Sequence, residues 1–457
     1  MNSYRIRGRL AAMVALQAGV VLVCACRPEA PPVVTPAPPP LKLVVITPHS
    51  PTIRQLFATG FSDWYHKRFN QFVDIQWIPM GTLECLQYIE QVADEHTETA
   101  GRAIPDVMFG GGIMEHRVLI ERRRAKAVNI KDAYAGIPDT VLGLPTRHPE
   151  GYWHATALSE FGILYNKKAC LQRGIPEPAT WTDLARPDFQ GWVALADPVR
   201  SGSHLQCLTL ILQRYGWKDG WATVLRIAAN SRALLPSSQD AINDVRTGVA
   251  LAALSVSFTA LQEIEAAGPN ELAYVSPQGA SAVTPSLVTV LSGAAIPSLA
   301  EQFVRFCLSE EAQVLWGVKA EARQGFGDTL YHYPILPKIY EAYAGKLAVT
   351  ENPFTKQPDM TLDLDLAARQ AQIVAPLLRD ACRENHVLLQ QCWKRLVEAG
   401  LPEAPLAELT APPFADERAA YEAGARYAAG GAAADALSAE WAGLFRARYE
   451  KVLSTFK

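Results

Sequence analysis

Residues 10–24 form an apolar run broken by Gln17 and Gly19 and preceded by Arg5, Arg7 and Arg9. Beyond it, short β-type runs alternate with helical periodicity. Residues 41–46 are a β-type run ending in Thr47-Pro48-His49-Ser50-Pro51. A helical pattern follows over residues 52–69, for which Ser50 suits the N-cap and Pro51 the first helical position. A second β-type run at 73–78, a helix around 82–93, and a third run at 105–109 entering Gly110-Gly111-Gly112 complete the order β-α-β-α-β. Such alternation predicts an α/β fold, a parallel sheet flanked by helices, with ligands bound beyond the carboxyl ends of the strands. From residue 346 the pattern turns helical. Residues 367–398, 413–428 and 435–455 carry Leu and Trp at helical spacing among Ala, Arg and Glu, with Gly430-Gly431 between the last two.

The N-terminal run has the layout of a secretory signal peptide. Its length of about 15 residues falls short of the roughly 20 that a membrane span takes, and no other segment is apolar for as long. The run closes on Val23-Cys24-Ala25-Cys26, an aliphatic residue three before Cys26 and a small one directly before it. This resembles a bacterial lipobox, which implies residues 1–25 as signal peptide and lipidation of Cys26. An ordinary signal peptide with a stray cysteine is the alternative. Half of residues 27–40 are proline, which favours extended polyproline conformation and makes residues 26–40 a tether of about 40 Å. The expected location is the periplasmic or cell-surface face of a bacterial membrane, held there by acyl chains.

The chain as a whole has an ordinary globular composition: 49% hydrophobic, 19% charged and a formal charge of -3 on 457 residues. Nothing in it points to nucleic acid, and Arg122-Arg123-Arg124 reads as a solvated helix face. Six cysteines follow the leader (Cys85, Cys170, Cys207, Cys307, Cys382 and Cys392) without a CxxC pair or a Cys/His cluster, so neither zinc nor another cofactor is expected. Cys382 and Cys392 fall on one predicted helix, about 15 Å apart along its axis and beyond bridging distance. Buried free thiols are therefore expected.

The segments LVVITPHSPTIRQLF, PDVMFGGG, TALSEFGILYNKKAC, PATWTDLARPDFQGWVALADPVRSGS and FVRFCLSEEAQVLW stand in that order. With them the chain resembles the extracellular solute-binding proteins of ABC transporters, in the branch that includes ferric-iron and phosphonate binders. The resemblance covers roughly residues 41–345. It implies the two-lobed type II periplasmic-binding fold, with lobe one at 41–155 plus 285–345, lobe two at 156–284, and a helical C-terminal extension at 346–457. Two strands would cross between the lobes, so that hinge closure traps a solute. The implied partners are a small-molecule ligand and the permease subunits of the transporter, besides the membrane reached through the lipid anchor. The protein is expected to act as a monomer.

Loops facing such a cleft favour an anionic or strongly hydrogen-bonding ligand. Ser50, Ser201, Ser203, Ser237 and Ser238 precede apparent helices, where unpaired N–H groups and partial positive charge attract an oxyanion, and Gly110, Gly111 and Gly112 offer bare backbone. Thr47, Ser159, Gly202 and Ser257 complete the candidate set. Serine before a helix is also an ordinary structural cap. His49 is the ionisable group placed most directly in a cleft loop, with a charge that would change near pH 6.5; His204 and His154 are weaker candidates. Iron-binding members of the branch supply adjacent tyrosines where this chain has Ser257, Phe258 and Thr259, which argues against a metal site.

No catalytic role is expected, because GxSxG, HExxH, GxxxxGK[ST] and a GxGxxG after a strand are all missing. The rival reading is an interaction lipoprotein with a degenerate ligand site; an exported hydrolase comes third. The C-terminal helices are expected to pack on lobe one and extend its core, or alternatively to dock a partner.

Overall fold

The computed structural model describes residues 39–94, 102–323, 327–382 and 385–456. The expected signal peptide, Cys26 and most of the expected tether lie outside the described residues. The alternating pattern folds as read: β1 (Leu41–Thr47), α1 (Pro51–Phe69), β2 (Val73–Pro79), α2 (Thr82–Asp94), β3 (Val107–Phe109) and α3 (Ile113–Glu121). Strand β1 lies parallel to both β2 and β3, its Leu43, Val45 and Ile46 fully buried. Ser50 caps α1, its hydroxyl accepting the Ile53 N–H, and Pro51 occupies the first turn, where its missing N–H costs nothing. The helix stops at Asn70, which adopts the left-handed conformation at φ 52°.

After the small hairpin of β4 (Thr140–Val141) and β5 (Leu144–Pro145) comes the long strand β6 (His154–Asn166), whose Asn166 caps α4 (Lys167–Arg173). Then follow β7 (Val193–Ala196), α5 (Gly202–Asn230), β8 (Ser231–Leu235), α6 (Ser238–Arg246), β9 (Ala252–Val256), α7 (Ser257–Ala267), β10 (Leu272–Val275) and β11 (Val283–Val290). Helices α8 (Pro297–Leu308), α9 (Glu310–Gly317) and α10 (Lys338–Ala342) precede the C-terminal set α11 (Leu364–Cys382), α12 (His386–Glu398), α13 (Glu403–Thr410), α14 (Glu417–Ala428) and α15 (Gly431–Ser454).

The strand order is β2-β1-β3-β11-β6-β9-β7-β8, with β10 also on β6. Strand β6 serves both halves: residues from His154 to Glu160 pair antiparallel with β11, and those from Phe161 to Tyr165 pair with β9. We take the half bearing β1 to β3 as lobe one and the half bearing β7 to β9 as lobe two. Lobe one packs Phe57, Phe61, Phe109, Phe303, Phe306 and Trp316 into one core. Lobe two is built around α5, two helical stretches meeting at a kink at Gly216 (φ 76°), which bury residues on nearly every face, among them Leu208, Trp217, Trp221 and Leu225. A helix apolar all round needs cover on both sides. The sheet covers one side.

The C-terminal helices cover the other, which corrects the expectation that they extend lobe one. Ile373, Leu377, Trp393, Phe445 and Tyr449 share a core with α5, and the Trp393 indole donates to Asn230 Oδ1 at 2.6 Å. The helix expected over 367–398 is two helices, and Asn385 fixes the turn between them by donating to the Asp380 and Ala442 carbonyls. Cys382 and Cys392 thus stand on different helices, and all six described cysteines are buried and free. The route into this layer adds a third crossing between the halves: Phe354 packs on the lobe-one core, whereas Met360 and Leu362 belong with lobe two. Gln213 of α5 holds the arriving chain through both backbone groups of Asp363.

Candidate functional site

A cavity of about 620 Å³ opens where the strands of both halves end and their helices begin. That volume suits a small solute. Helix starts surround it: Ser50 to Thr52 of α1, Thr82 of α2, Gly111 and Gly112 before α3, Gly202 and Ser203 of α5, Ser238 and Gln239 of α6, and Phe258 and Thr259 of α7. Each first turn leaves N–H groups without an intrahelical partner and carries partial positive charge. Among the described residues, no lysine, arginine or tyrosine lines the cavity. Its polarity therefore comes from helix ends, hydroxyls, Gln206 and Gln262, and the carboxyl groups of Glu115 and Glu263.

The glycine turn shows how local structure shapes this wall. Gly110 and Gly111 have φ of +102° and +90°, conformations side chains rarely adopt. A Cβ on Gly110 would lie 2.9 Å from His49 Nε2, so only glycine lets the turn sit against that ring. The turn is sewn to β11 by Gly110 N–H to Leu287 O and Leu287 N–H to Gly111 O. From below, His116 Nε2 donates to the Gly110 carbonyl at 2.9 Å while Nδ1 takes the Thr289 hydroxyl at 2.6 Å.

Of the sequence candidates, the structure brings His49, Ser50, Gly111, Gly112, Ser159, Gly202, Ser203 and Ser238 to the cavity wall. The others do not line it. Thr47 is fully buried, donating to the Phe109 carbonyl and accepting the His49 N–H. Gly110 lies behind His49. Ser201 caps α5 through the His204 N–H, and Ser237 caps α6 through the Asp240 N–H, so in both pairs the first serine is structural and the second faces the cavity. The Ser257 hydroxyl accepts the Glu160 N–H, tying α7 to β6. His204 is buried outside the cavity, and His154 is buried on the Tyr134 hydroxyl.

His49 does not titrate near pH 6.5 as expected. It packs among Phe109, Trp316 and His332, and burial pushes its pKa down to about 3, so the ring is neutral. Its Nε2 has no hydrogen-bond partner.

Thr82, Glu115, Gln206, Thr259 and Gln262 also line the wall and were missed in the sequence. Two carried a signal. Glu115 follows Gly112 by three residues, the spacing of a capping box, and Gln206 follows Ser203 by one helical turn and so shares its face. Glu115 Oε2 accepts the Gly112 N–H at 3.0 Å, and burial holds its pKa above the ordinary carboxyl range.

Contacts join the walls around the cavity. Arg200, before α5, pairs with Glu84 of α2 at 2.7 Å, which draws the Glu84 pKa down. Phe258 of α7 stacks on His332 at 3.9 Å between ring centres, and Gln262 donates to the Thr329 carbonyl. Among the described residues no group of three or more His, Cys, Asp or Glu could hold a metal ion, and no helix is long and apolar enough to cross a membrane.

Residues 105–319 match the family described as bacterial extracellular solute-binding protein. Over 258 residues the chain is 28% identical to the phosphoglycerate transport regulatory protein PgtC of Salmonella typhimurium, covering 56% of this chain. The chain spans 60% of the length of that relative. Among solved structures it is similar to the periplasmic binding protein AfuA of Actinobacillus pleuropneumoniae, bound to fructose-6-phosphate, at a TM-score of 0.57 and 17% identity over 79% of this chain and 99% of that one. Iron-bound HitA of Pseudomonas aeruginosa gives a TM-score of 0.53 and 18% identity over 74% and 99%. These solved structures establish the two-lobed fold, and the family match covers residues 105–319, a little under half of the chain.

Proposed function

We propose that the protein captures a small oxyanion, a phosphate ester of a hydroxylated carbon skeleton, and delivers it to an ABC importer without chemical turnover. The observation that carries this reading is the ring of helix starts, bare glycines and short hydroxyl side chains around one cavity. Such a ring grips an oxyanion through backbone N–H groups and needs no lysine or arginine. Two relatives support the ester: PgtC is described as a phosphoglycerate transport regulatory protein, and AfuA holds fructose-6-phosphate. Closure would move Ser203 and Ser238 of lobe two against Ser50 and Gly112 of lobe one. The chain would be exported, anchored through a lipidated Cys26 and monomeric.

Native mass spectrometry of protein purified without refolding tests this directly, since a retained solute appears as added mass. A thermal-shift panel of inorganic phosphate, 3-phosphoglycerate, fructose 6-phosphate, citrate and a neutral polyol complements it. A ligand at a hundredfold excess over Kd stabilises by about 2.7 kcal/mol. Stabilisation by the polyol alone would reject the oxyanion.

A second reading, a non-transport interaction lipoprotein, draws on the word regulatory in the description of PgtC. Uptake that persists when the gene is deleted, with loss of a solute-induced response, would select it over transport.

A further inference from the structure

Of the two carboxyl groups on the cavity wall, Glu263 is paired with Arg246 at 3.5 Å. Glu115 has no ion-pair partner among the described residues, and Arg200 on the facing loop is already engaged by Glu84. Glu115 is only 6% exposed. Its carboxyl group is wedged between three helix starts. Oε2 takes the Gly112 N–H of α3 at 3.0 Å. A Cβ built on Gly202 of α5 would come within 3.0 Å of Oε1 and 3.2 Å of Thr82 Cβ of α2, so Oε1 reaches this corner because residue 202 is glycine. The capping interaction accounts for Oε2, and Oε1 stands beside Gly202, which lines the cavity together with Glu115.

Resting on the oxyanion reading above, we propose that Glu115 is the specificity-determining residue of the cavity: it accepts a hydroxyl hydrogen of the solute and keeps the anionic group out of the corner between α2, α3 and α5. The chemistry is one-sided. Burial disfavours a negative charge in this corner, so an anion placed beside the Glu115 carboxyl group is opposed by desolvation and, where that group is ionised, by repulsion, whereas a solute hydroxyl can donate to Oε1 in either state and most strongly to the carboxylate. The anionic end of the solute then belongs at the start of α1, where Ser50 faces the cavity and the first turn holds no acidic residue, whereas the first turn of α6 carries Asp240, whose carboxyl group takes the Ser237 hydroxyl. A solute with an acid group at one end and a hydroxyl at the other is thereby oriented.

The test uses the full chain, calorimetry, and two probes of matched size, glycerol 3-phosphate and propyl phosphate, which differ in the hydroxyl groups. The unmodified protein should prefer glycerol 3-phosphate by about tenfold or more, the worth of one hydrogen bond to a charged group. In Glu115→Gln the amide oxygen can keep the Gly112 cap, so the melting temperature should hold, while the amide NH2 now faces the cavity. The preference should then fall towards unity, and propyl phosphate should bind no worse. A preference that survives the substitution overturns the assignment. If the unmodified protein binds both esters equally, the oxyanion reading stands and the role of Glu115 falls. If it binds neither, both fall together.

Discussion

Lobe one draws its core from β1 to β3, α1, α8 and α9, while lobe two leaves one side of α5 for the C-terminal helices to cover. Each contains a fully buried tryptophan that shows the difference. Trp316 of lobe one lies among Phe57, Phe109 and His332, and its indole N–H has no partner. Trp393 of the extension sits on α5 with its N–H on Asn230, whose amide in turn holds the Leu184 and Arg186 carbonyls. Lobe one is stabilised there by packing. The seam of lobe two is also specified by a buried polar chain.

That contrast sets the order of expected effects. Removing either indole by substitution with alanine costs about 3–5 kcal/mol. Trp393→Ala should be the worse of the two, because it also orphans Asn230 Oδ1, which adds about 1–3 kcal/mol. Denaturant unfolding compares them, and equal losses would mean that the Asn230 chain adds nothing. Deleting residues 364–457 should go further and abolish cooperative unfolding, since it bares Trp217 and Trp221.

Acidification should act on lobe one first. Burial pushes His49, His154 and His332 to about 3 and His116 to about 4, whereas lobe two holds His204, at about 3, with His386 also lowered at its seam with the extension. All are neutral in the folded protein, and the unfolded chain takes up their protons first as pH falls below about 6.5. Stability should be full above that pH and fall at lower pH by about 1 kcal/mol per buried histidine per unit, down towards the folded values. Melting temperatures between pH 7 and 4.5 measure this. His332→Gln should flatten the curve more than a substitution of half-buried His148.

The serine pair at α5 should separate binding from folding. Ser203→Ala should weaken a charged solute by about 1.5–3 kcal/mol with little loss of stability. Ser201→Ala should cost about 1 kcal/mol of stability through the lost cap. Calorimetry beside thermal melts distinguishes them, and the reverse pattern would exchange their roles. The smallest effect belongs to Arg117–Asp365, an exposed 2.7 Å pair from α3 to α11 across the two regions. Asp365→Asn should change stability by less than about 1 kcal/mol, read in the same melts.

The contrast also marks what sequence could tell. Periodicity located β1, α1, β2 and β3 to within a residue or two, because their burial is decided locally, and Ser50-Pro51 announced the start of α1. Helical spacing found the C-terminal region helical, but it merged α11 with α12, missed α13 and could not say which lobe the helices cover. That depends on α5 being apolar on its far side, a property of a helix distant in the chain. Adjacent serines were legible as a pair, yet which one caps and which one faces the cavity is fixed by the backbone turn, not by composition. His49 was found and its charge misjudged, since the aromatic residues that desolvate it come from Phe109, Trp316 and His332.

The lobe-one core runs from Leu43 to Leu347, and that of lobe two from Leu144 to Val452. During synthesis, a chain that has reached residue 300 lacks Trp316 and Ile335 for one core and every helix that seals α5 for the other. Contacts so far apart close slowly, because long loops must form before anything rewards them. Lobe one can finish once residue 347 is made, whereas lobe two waits until the end of the chain is near. The third crossing at residues 354–360 thus orders events in time: it brings the sealing helices to α5 only after lobe one has its last strands and helices. A chain built this way keeps its second core open until the C-terminal helices arrive.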